Sequence, residues 1–361
     1  MAAYHELTAW LRADVPTLKL SRDALDEARR HGVHLLVADR AGRAGRGLVD
    51  GFDELARELR AAAIVEALRT HELRRVVVAL ADHDISALLF KGAALAHSVY
   101  PQPYLRPSTD SDILIRPRDR DTFFDILRRM GYQPEARTTG DLIMPQRCMT
   151  RRAGPLTHVI DVHWKLVNPV LYADRLTFDT LWSNAVGVPS LSTSARMPDL
   201  ADHLLISCLH RLAHHQNTSH LIWLYDIHLL ASGLDERRRR SVVERGRASH
   251  LEGVCHVGLT MAEDAFGGVD SLLRQAFAAA GDRDAVPDAF LSPDASQVSL
   301  LQQDWRALRG LKPRLRLLRE HLFPPVAYVR TVYPRIPAAL VPLAYLLRVV
   351  RGAPKWFGSR T

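Results

Sequence analysis

The chain has 361 residues, 47% hydrophobic and 24% charged, with a net charge of +8 at pH 7 and a pI near 9.7. That is enough apolar material for a sizeable core, and it excludes an intrinsically disordered protein. Cys148, Cys208 and Cys255 are odd in number and widely spaced, which excludes a disulfide framework or a zinc knuckle.

The first residues, MAAYHELTAWLRADVP, lack the basic-then-apolar plan of a secretory signal, and no run reaches the apolar length that spans a bilayer. The expectation is a soluble cytoplasmic protein with buried thiols and no membrane partner. The basic balance favours anionic partners, whether nucleotides, nucleic acid or acidic lipid surfaces. Only five of the 48 basic residues are lysines, so each lysine is worth locating.

In chain order, residues 1–80 read as helices. Leu55, Leu59, Ile64 and Leu68 recur at helical spacing between arginines and glutamates. Asp82-His83-Asp84 breaks that pattern, and Ile85 to Phe90 reads as a short apolar strand. Lys91-Gly92 opens a short helix to Tyr100, which Pro101 and Pro103 end. A loop containing Arg106 leads to a strand, Ser111 to Ile115, and a helix over Arg118 to Met130 stops at Gly131. Leu142 to Met149 and Leu156 to Trp164 read as strands joined by a turn at Arg151 to Pro155. After about residue 195 the pattern is helical to the end. The run Arg237 to Arg240 follows Asp235-Glu236 and reads as a solvated helix face. Trp356 and Phe357 near the end are expected to pack on the core.

The fold class is therefore α+β. A small mixed sheet over residues 81–192 is flanked by an N-terminal helical segment (1–80) and a C-terminal helical domain (193–361).

The chemistry concentrates between Leu88 and Ile115, LLFKGAALAHSVYPQPYLRPSTDSDILI. Asp110 and Asp112 are two apart, so on a strand both carboxylates project from one face. Such a pair is costly without a cation between its members. Hard oxygen ligands favour Mg²⁺, and two ions on a nucleotide's phosphates are the expectation. A third carboxylate is expected at Asp161, in H-V-I-D-V-H-W, a polar residue out of place in a β-branched run. His163 shares its strand face and would orient an acceptor, shuttle a proton or serve as a structural histidine. A glycine directly after a strand lets a phosphate approach the backbone and the following helix N-terminus. Lys91 adds a point charge for the phosphates. Arg106 and Lys165 are further candidates for holding the triphosphate.

His210, His214, His215 and His220 form a second group. The first two share a helix face and have the spacing of zinc ligands, but no H-E-x-x-H pattern or cysteine accompanies them, which favours core packing. Asp226 is a charge inside an apolar helix, expected to pair with a histidine or arginine of the preceding helix or to position an acceptor.

The stretches L-L-F-K-G-A-A-L, R-P-S-T-D-S-D-I-L-I and I-D-V-H-W-K-L together resemble the DNA polymerase β-type nucleotidyltransferase superfamily, in its bacterial branch of uncharacterised nucleotidyltransferases. H-R-L-A-H-H and W-L-Y-D-I resemble that branch's second domain, and the likeness covers about residues 80–235. The resemblance implies Mg²⁺-dependent transfer of a nucleoside monophosphate from an NTP to a hydroxyl-bearing acceptor, with release of pyrophosphate. The acceptor would be a small molecule, a peptide or protein, or tRNA. Asp110 and Asp112 take the place of the metal-binding pair, Asp161 that of the third carboxylate, and Gly92 that of the glycine in a Gly-Ser turn. Ala93 stands where that turn's serine would be, which leaves room for altered donor specificity or for a degenerate binding module on the same fold. Acceptor, base preference and oligomeric state are not written in the sequence.

Overall fold

The computed structural model describes every residue except 14–15, 136–139, 279–284, 338–339 and 358–361, with backbone alone at 349 and 352–357. The expected packing of Trp356 and Phe357 lies outside the described side chains. Four helices come first: α1 (Ala2–Arg12), α2 (Arg22–Arg30), α3 (His34–Ala44) and the long α4 (Phe52–Ala81). Ser21 caps α2 by accepting the Ala24 N–H at 3.2 Å. No glycine or proline interrupts the 30 residues of α4.

The central segment runs β1 (Ala87–Phe90), α5 (Lys91–Ala96), β2 (Ser111–Ile115), α6 (Arg120–Arg129), β3 (Gln133–Pro134), β4 (Gln146–Ala153), β5 (Leu156–His163), α7 (Val170–Ala173) and α8 (Phe178–Ser183). A two-stranded ribbon, β6 (Val186–Val188) and β7 (Ser192–Met197), follows. The rest is helical: α9 (Leu200–His215), α10 (Leu221–Ser232), α11 (Glu236–Ala248), α12 (Glu252–Phe266), α13 (Ser271–Ala278), α14 (Asp288–Leu291), α15 (Gln297–Ala307), α16 (Leu311–Leu322), α17 (Val326–Val332) and α18 (Val341–Phe357). None of the described helices is long and apolar enough to cross a membrane.

The main sheet has the order β1-β2-β5-β4-β3, with β2 and β5 parallel and the other neighbours antiparallel. The expected α+β class with a small mixed sheet is what the chain adopts. Strand boundaries differ from expectation: β1 begins at Ala87, not Ile85, β5 ends at His163, not Trp164, and β4 shifts most. β4 begins at Gln146 and runs on to Ala153, so the turn shrinks to Gly154-Pro155, where Gly154 has φ +60°.

Strand alternation gives the sheet two unlike faces. Leu89, Ile113, Ile115, Ile160 and Val162 pack against Leu73, Val76, Val77 and Leu80 of α4 and the aromatic pair Phe123 and Phe124 of α6. Leu88, Phe90 and Leu114 point the other way, into a larger core that also holds residues of α1–α3, α9, α10 and α12. Residues of α1–α3 and of α9–α14 therefore meet in one shared core on the face that carries the acidic residues. The arginines at 237–240 are on α11, where Arg238, Arg239 and Arg240 pair with Asp235, Asp270 and Glu236.

Candidate active site

Register places the carboxylates. Asp112 stands directly opposite Asp161 in the parallel β2–β5 pair, with Phe90 opposite Asp112 on one side and Cys148 opposite Asp161 on the other. Directly opposed residues share a face, so these four form one row across the sheet. His163 belongs to the next row on the same face, opposite Leu114 and Gln146. Asp112, Asp161 and His163 are all buried, and each offers a ligand atom within 4.8 Å of the others'. Among the described residues no other group of three His, Cys, Asp or Glu side chains converges in this way.

The expectation that one strand face carries both Asp110 and Asp112 needs correction. Asp110 precedes the first residue of β2. Ser108 Oγ donates to Asp110 at Oδ1 (3.1 Å) or at the main-chain oxygen (2.8 Å), a local side-chain bond that favours a turn over continued strand. Asp110 therefore guards the end of the strand.

Lys91 directs its Nζ to Asp112 Oδ1 at 2.8 Å, and His163 Nε2 meets the same oxygen at 2.9 Å. The Phe90 ring lies beneath both, 4.9 Å from the ammonium and 5.0 Å edge-on from the imidazole. Lys91 has φ +55°, a left-handed conformation that a side chain adopts at a cost of about 1–2 kcal/mol. Strain of that kind clusters at ligand sites, and here it accompanies a charge aimed at a carboxylate. At Gly92 an added Cβ would meet Arg106 Nη1 and Ser108 Oγ at 3.4 Å, about contact distance, so the loop before β2 packs directly on this turn.

Lys91, Gly92, Asp112 and Asp161 line a cleft of about 680 Å³. Gln146, Asp110, Ser108 and Thr109 lie near the carboxylates, while Arg29, Arg30 and His34 approach from α2 and α3. The opposite wall is made by His210, His214, His215, His220 and Trp223. Trp223 stacks on His215 with ring centroids 3.6 Å apart, and His220 tilts against it at 4.5 Å. The histidines thus form an aromatic wall facing the carboxylates. Burial, and then the charge of Lys91, hold His210 and His214 well below the usual imidazole range, so both are neutral near pH 7. No sequence signal picks out Arg29, Arg30 or His34, because the fold alone brings α2 and α3 to the rim. Gln146 heads a strand and shares the acidic row's face, which alternation could have revealed.

Two expected phosphate ligands already hold acidic partners, although Arg106 also lines the cleft. Arg106 makes a bidentate pair with Asp226, Nε to Oδ1 at 2.8 Å and Nη2 to Oδ2 at 2.7 Å, and its Nη1 donates to the Pro107 carbonyl at 2.9 Å. Asp226 therefore finds its arginine in the loop before β2, not in the preceding helix α9. Tyr100 completes the group by donating its hydroxyl to Asp226 Oδ1 at 2.7 Å. Lys165 pairs with Asp174 at 2.9 Å and does not line the cleft.

The carboxylates respond differently to their surroundings. Burial pushes the Asp110 carboxyl above the usual aspartate range, and repulsion from Asp112 and Asp161 adds to it. Burial acts the same way on Asp112, but Lys91 and His163 outweigh it and hold Asp112 well below that range. Burial and Lys91 keep His163 neutral, so its Nε2–H is the donor to Asp112. Asp161 Oδ1 is buried without a hydrogen-bond partner, and Oδ2 has only the Gln146 amide at 3.4 Å. An orphaned buried carboxylate oxygen beside two further carboxylates is a donor set that fits a hard divalent cation.

Anionic oxygens facing a left-handed lysine turn across a cleft are suited to phosphate chemistry through a cation. The sequence relationships agree. The chain belongs to the family described as uncharacterised nucleotidyltransferases, whose sequence model matches residues 21–267. That span holds every residue of the acidic row and the histidine wall, and ends at the C-terminus of α12. No curated protein matches the chain.

Proposed function

We propose that the cleft catalyses Mg²⁺-dependent transfer of a nucleoside monophosphate from an NTP to a hydroxyl-bearing acceptor, releasing pyrophosphate. The observation that carries this reading is the Asp112–Asp161 pair, opposed across parallel strands with a buried oxygen left unpartnered. Asp110, Asp112 and Asp161 would hold two Mg²⁺ ions. When bound, Mg²⁺ neutralises charge at the α-phosphate and leaving pyrophosphate and makes the acceptor hydroxyl more acidic. Asp161 is placed to take the acceptor proton. Lys91 and the amide of Gly92 hold the triphosphate, the lysine turning from Asp112 to a phosphate oxygen. His163 is a positioning residue, fixing the Asp112 carboxylate by its Nε2–H. With the reacting groups held in the cleft, positioning and charge neutralisation supply most of the rate.

The acceptor on this reading is small enough to enter beside the imidazole and indole wall, or is a flexible chain end of a peptide, protein or tRNA. A cytoplasmic location follows from the need for NTP. Calorimetric titration with each NTP, with and without Mg²⁺, tests the reading. Metal-dependent binding that is lost in Asp112→Ala is expected. Folded protein that binds no NTP would move the assignment to a binding module on the same fold.

A further inference from the structure

The basic charge is not spread over the chain. Residues 305–361 contain 12 of the 48 lysines and arginines but one of the 40 acidic residues, a local net charge of +11. Residues 1–304 then carry 36 basic and 39 acidic groups, a net of −3. The excess that makes this a basic protein thus lies in α16–α18 and their connections, beyond the family match at residue 267.

The same segment exposes apolar side chains. Among the described residues, nine of the 16 exposed large hydrophobics lie between Leu311 and Val350. On α18 they keep helical order. Val341, Ala344 and Tyr345 face Val329 and Tyr333 on or beside α17 in a small core. Leu343, Leu346 and Val350 are spaced three and four apart on the opposite face and stand 48%, 61% and 63% exposed. The helix therefore has one apolar face used and one apolar face open. Phe323, 61% exposed, lies beside Tyr345 with ring centroids 5.7 Å apart and extends the patch. Arg319, Arg330, Arg335 and Arg351 are exposed along the same segment.

We propose that α16–α18 form a docking surface for an anionic lipid bilayer, lying along the membrane instead of crossing it. Charge and apolarity select this partner together. Open leucine and valine side chains gain nothing on a nucleic-acid backbone, whereas a headgroup boundary accepts them beneath a layer of arginines that pair with lipid phosphates. The length and hydropathy of the described helices exclude a span and leave interfacial binding. The segment is also fixed to the body near the cleft. Glu320 of α16 accepts the backbone N–H groups of Leu142 and Ile143 at 3.0 and 3.2 Å, just ahead of Gln146. Docking would thus set the cleft beside the bilayer. This revises the expectation of no membrane partner, and it does not depend on the reaction assigned above.

The test is flotation of the full chain with vesicles of phosphatidylcholine alone and of equimolar phosphatidylcholine and phosphatidylglycerol, without nucleotide. Binding to the anionic vesicles and little to the neutral ones is expected, weakening as salt rises. Leu343→Ser/Leu346→Ser removes two open leucines, and partition should fall at least about tenfold. Arg330→Glu/Arg335→Glu should lower it by a similar factor. Unchanged circular dichroism in both variants excludes loss of fold as the cause. Absence of flotation, equal flotation on both vesicles, or full binding by the leucine variant overturns the proposal. So does retention of a random-sequence RNA by parent and leucine variant alike without flotation, which gives the surface to nucleic acid. A dimer that the leucine variant dissolves, again without flotation, gives the face to a second copy.

Discussion

Two buried ion pairs meet near β2 and do opposite work: one joins Lys91 to Asp112, the other joins Arg106, in the loop before β2, to the distant Asp226. Arg106–Asp226 is the more completely paired: both carboxylate oxygens accept from the guanidinium, Tyr100 adds a third donor, and every Arg106 nitrogen donates at least once, the last to a carbonyl. Lys91–Asp112 is less complete. Its two donors, Lys91 and His163, crowd onto one oxygen of Asp112, and the neighbouring Asp161 keeps a buried oxygen with no donor at all. Fuller pairing is what a scaffold needs, because an unpaired group in the interior is expensive. Incomplete pairing beside a cleft is what a site needs if a cation is to arrive and find ligands. The distinction is one of hydrogen-bond completeness, since residue types and burial are similar in the two pairs.

Removing the acidic row should give the largest effect. Asp112→Asn and Asp161→Asn are each expected to lower nucleotidyl transfer at least about a thousandfold and to abolish Mg²⁺-dependent NTP binding in calorimetry. The Asp112 variant carries a stability cost as well. Its folded-state carboxyl lies below the ordinary range, so the Lys91 pair stabilises the fold above the unfolded-state pKa and that stability is lost as pH falls through the folded one. Near neutral pH the loss of the paired anion should cost about 3 kcal/mol in urea unfolding. Normal NTP binding by either variant would sink the assignment.

The scaffold pair should break differently. Arg106→Ala or Asp226→Ala leaves one buried charge unpaired and should cost about 3–5 kcal/mol, with Arg106→Lys recovering only part because a single ammonium cannot make the bidentate contact. Protein that remains folded should bind Mg²⁺ and NTP within about threefold of the parent, roughly half of the 1.4 kcal/mol that a tenfold change represents. A selective loss of NTP affinity without a loss of stability would transfer Arg106 to the phosphate-binding group.

The division was only half legible beforehand. Strand alternation is local, so Leu88 to Phe90, Ser111 to Ile115 and the apolar run around Asp161 announced the sheet and the face that carries the acids. Their pairing as parallel neighbours put Asp112 and Asp161 opposite one another, which accords with both belonging to one site. The role of Arg106 depends on a partner 120 residues away, and nothing in its local sequence separates an anchoring arginine from a phosphate ligand. Asp110 misled in another way: a two-residue spacing implies one face only if both residues are in the strand, and Ser108 ends the strand one residue early. Lys165 flanks the Asp161 motif in sequence, yet it pairs with Asp174 outside the cleft.

A smaller effect should come from Lys91, which competes with a cation for Asp112. Lys91→Gly removes the competing charge and also places the residue best suited to φ +55° at that turn. Mg²⁺ alone should then bind more tightly while NTP binds at least about tenfold more weakly, since a charge-assisted hydrogen bond to phosphate is worth about 1.5 kcal/mol or a little more. Calorimetry with each ligand separately reads the two changes. Parallel weakening of both would mean that the lysine supports the carboxylates instead of holding their place.

The mildest change sharpens the comparison most. The Asp110 carboxyl is pushed up, by burial first and then by the charges of Asp112 and Asp161. The sign follows directly. A raised folded-state value means that the native protein holds this proton more tightly than the unfolded chain does, so ionising Asp110 at neutral pH works against folding. Without metal, Asp110→Asn should therefore melt at a higher temperature than the parent at pH 7, and the difference should vanish as pH falls and the parent's carboxyl takes up its proton. With Mg²⁺ the order should reverse, because the parent gains binding free energy that the variant lacks. Mg²⁺ affinity of the parent should also decline with acidification at a higher pH than an ordinary aspartate would dictate. A scaffold carboxylate such as Asp226 gives the opposite result under the same substitution, losing stability with or without metal. If Asp110→Asn instead melts lower at pH 7 in the absence of metal, Asp110 belongs with the scaffold, held by Ser108, and the cation rests on Asp112, Asp161 and His163 alone.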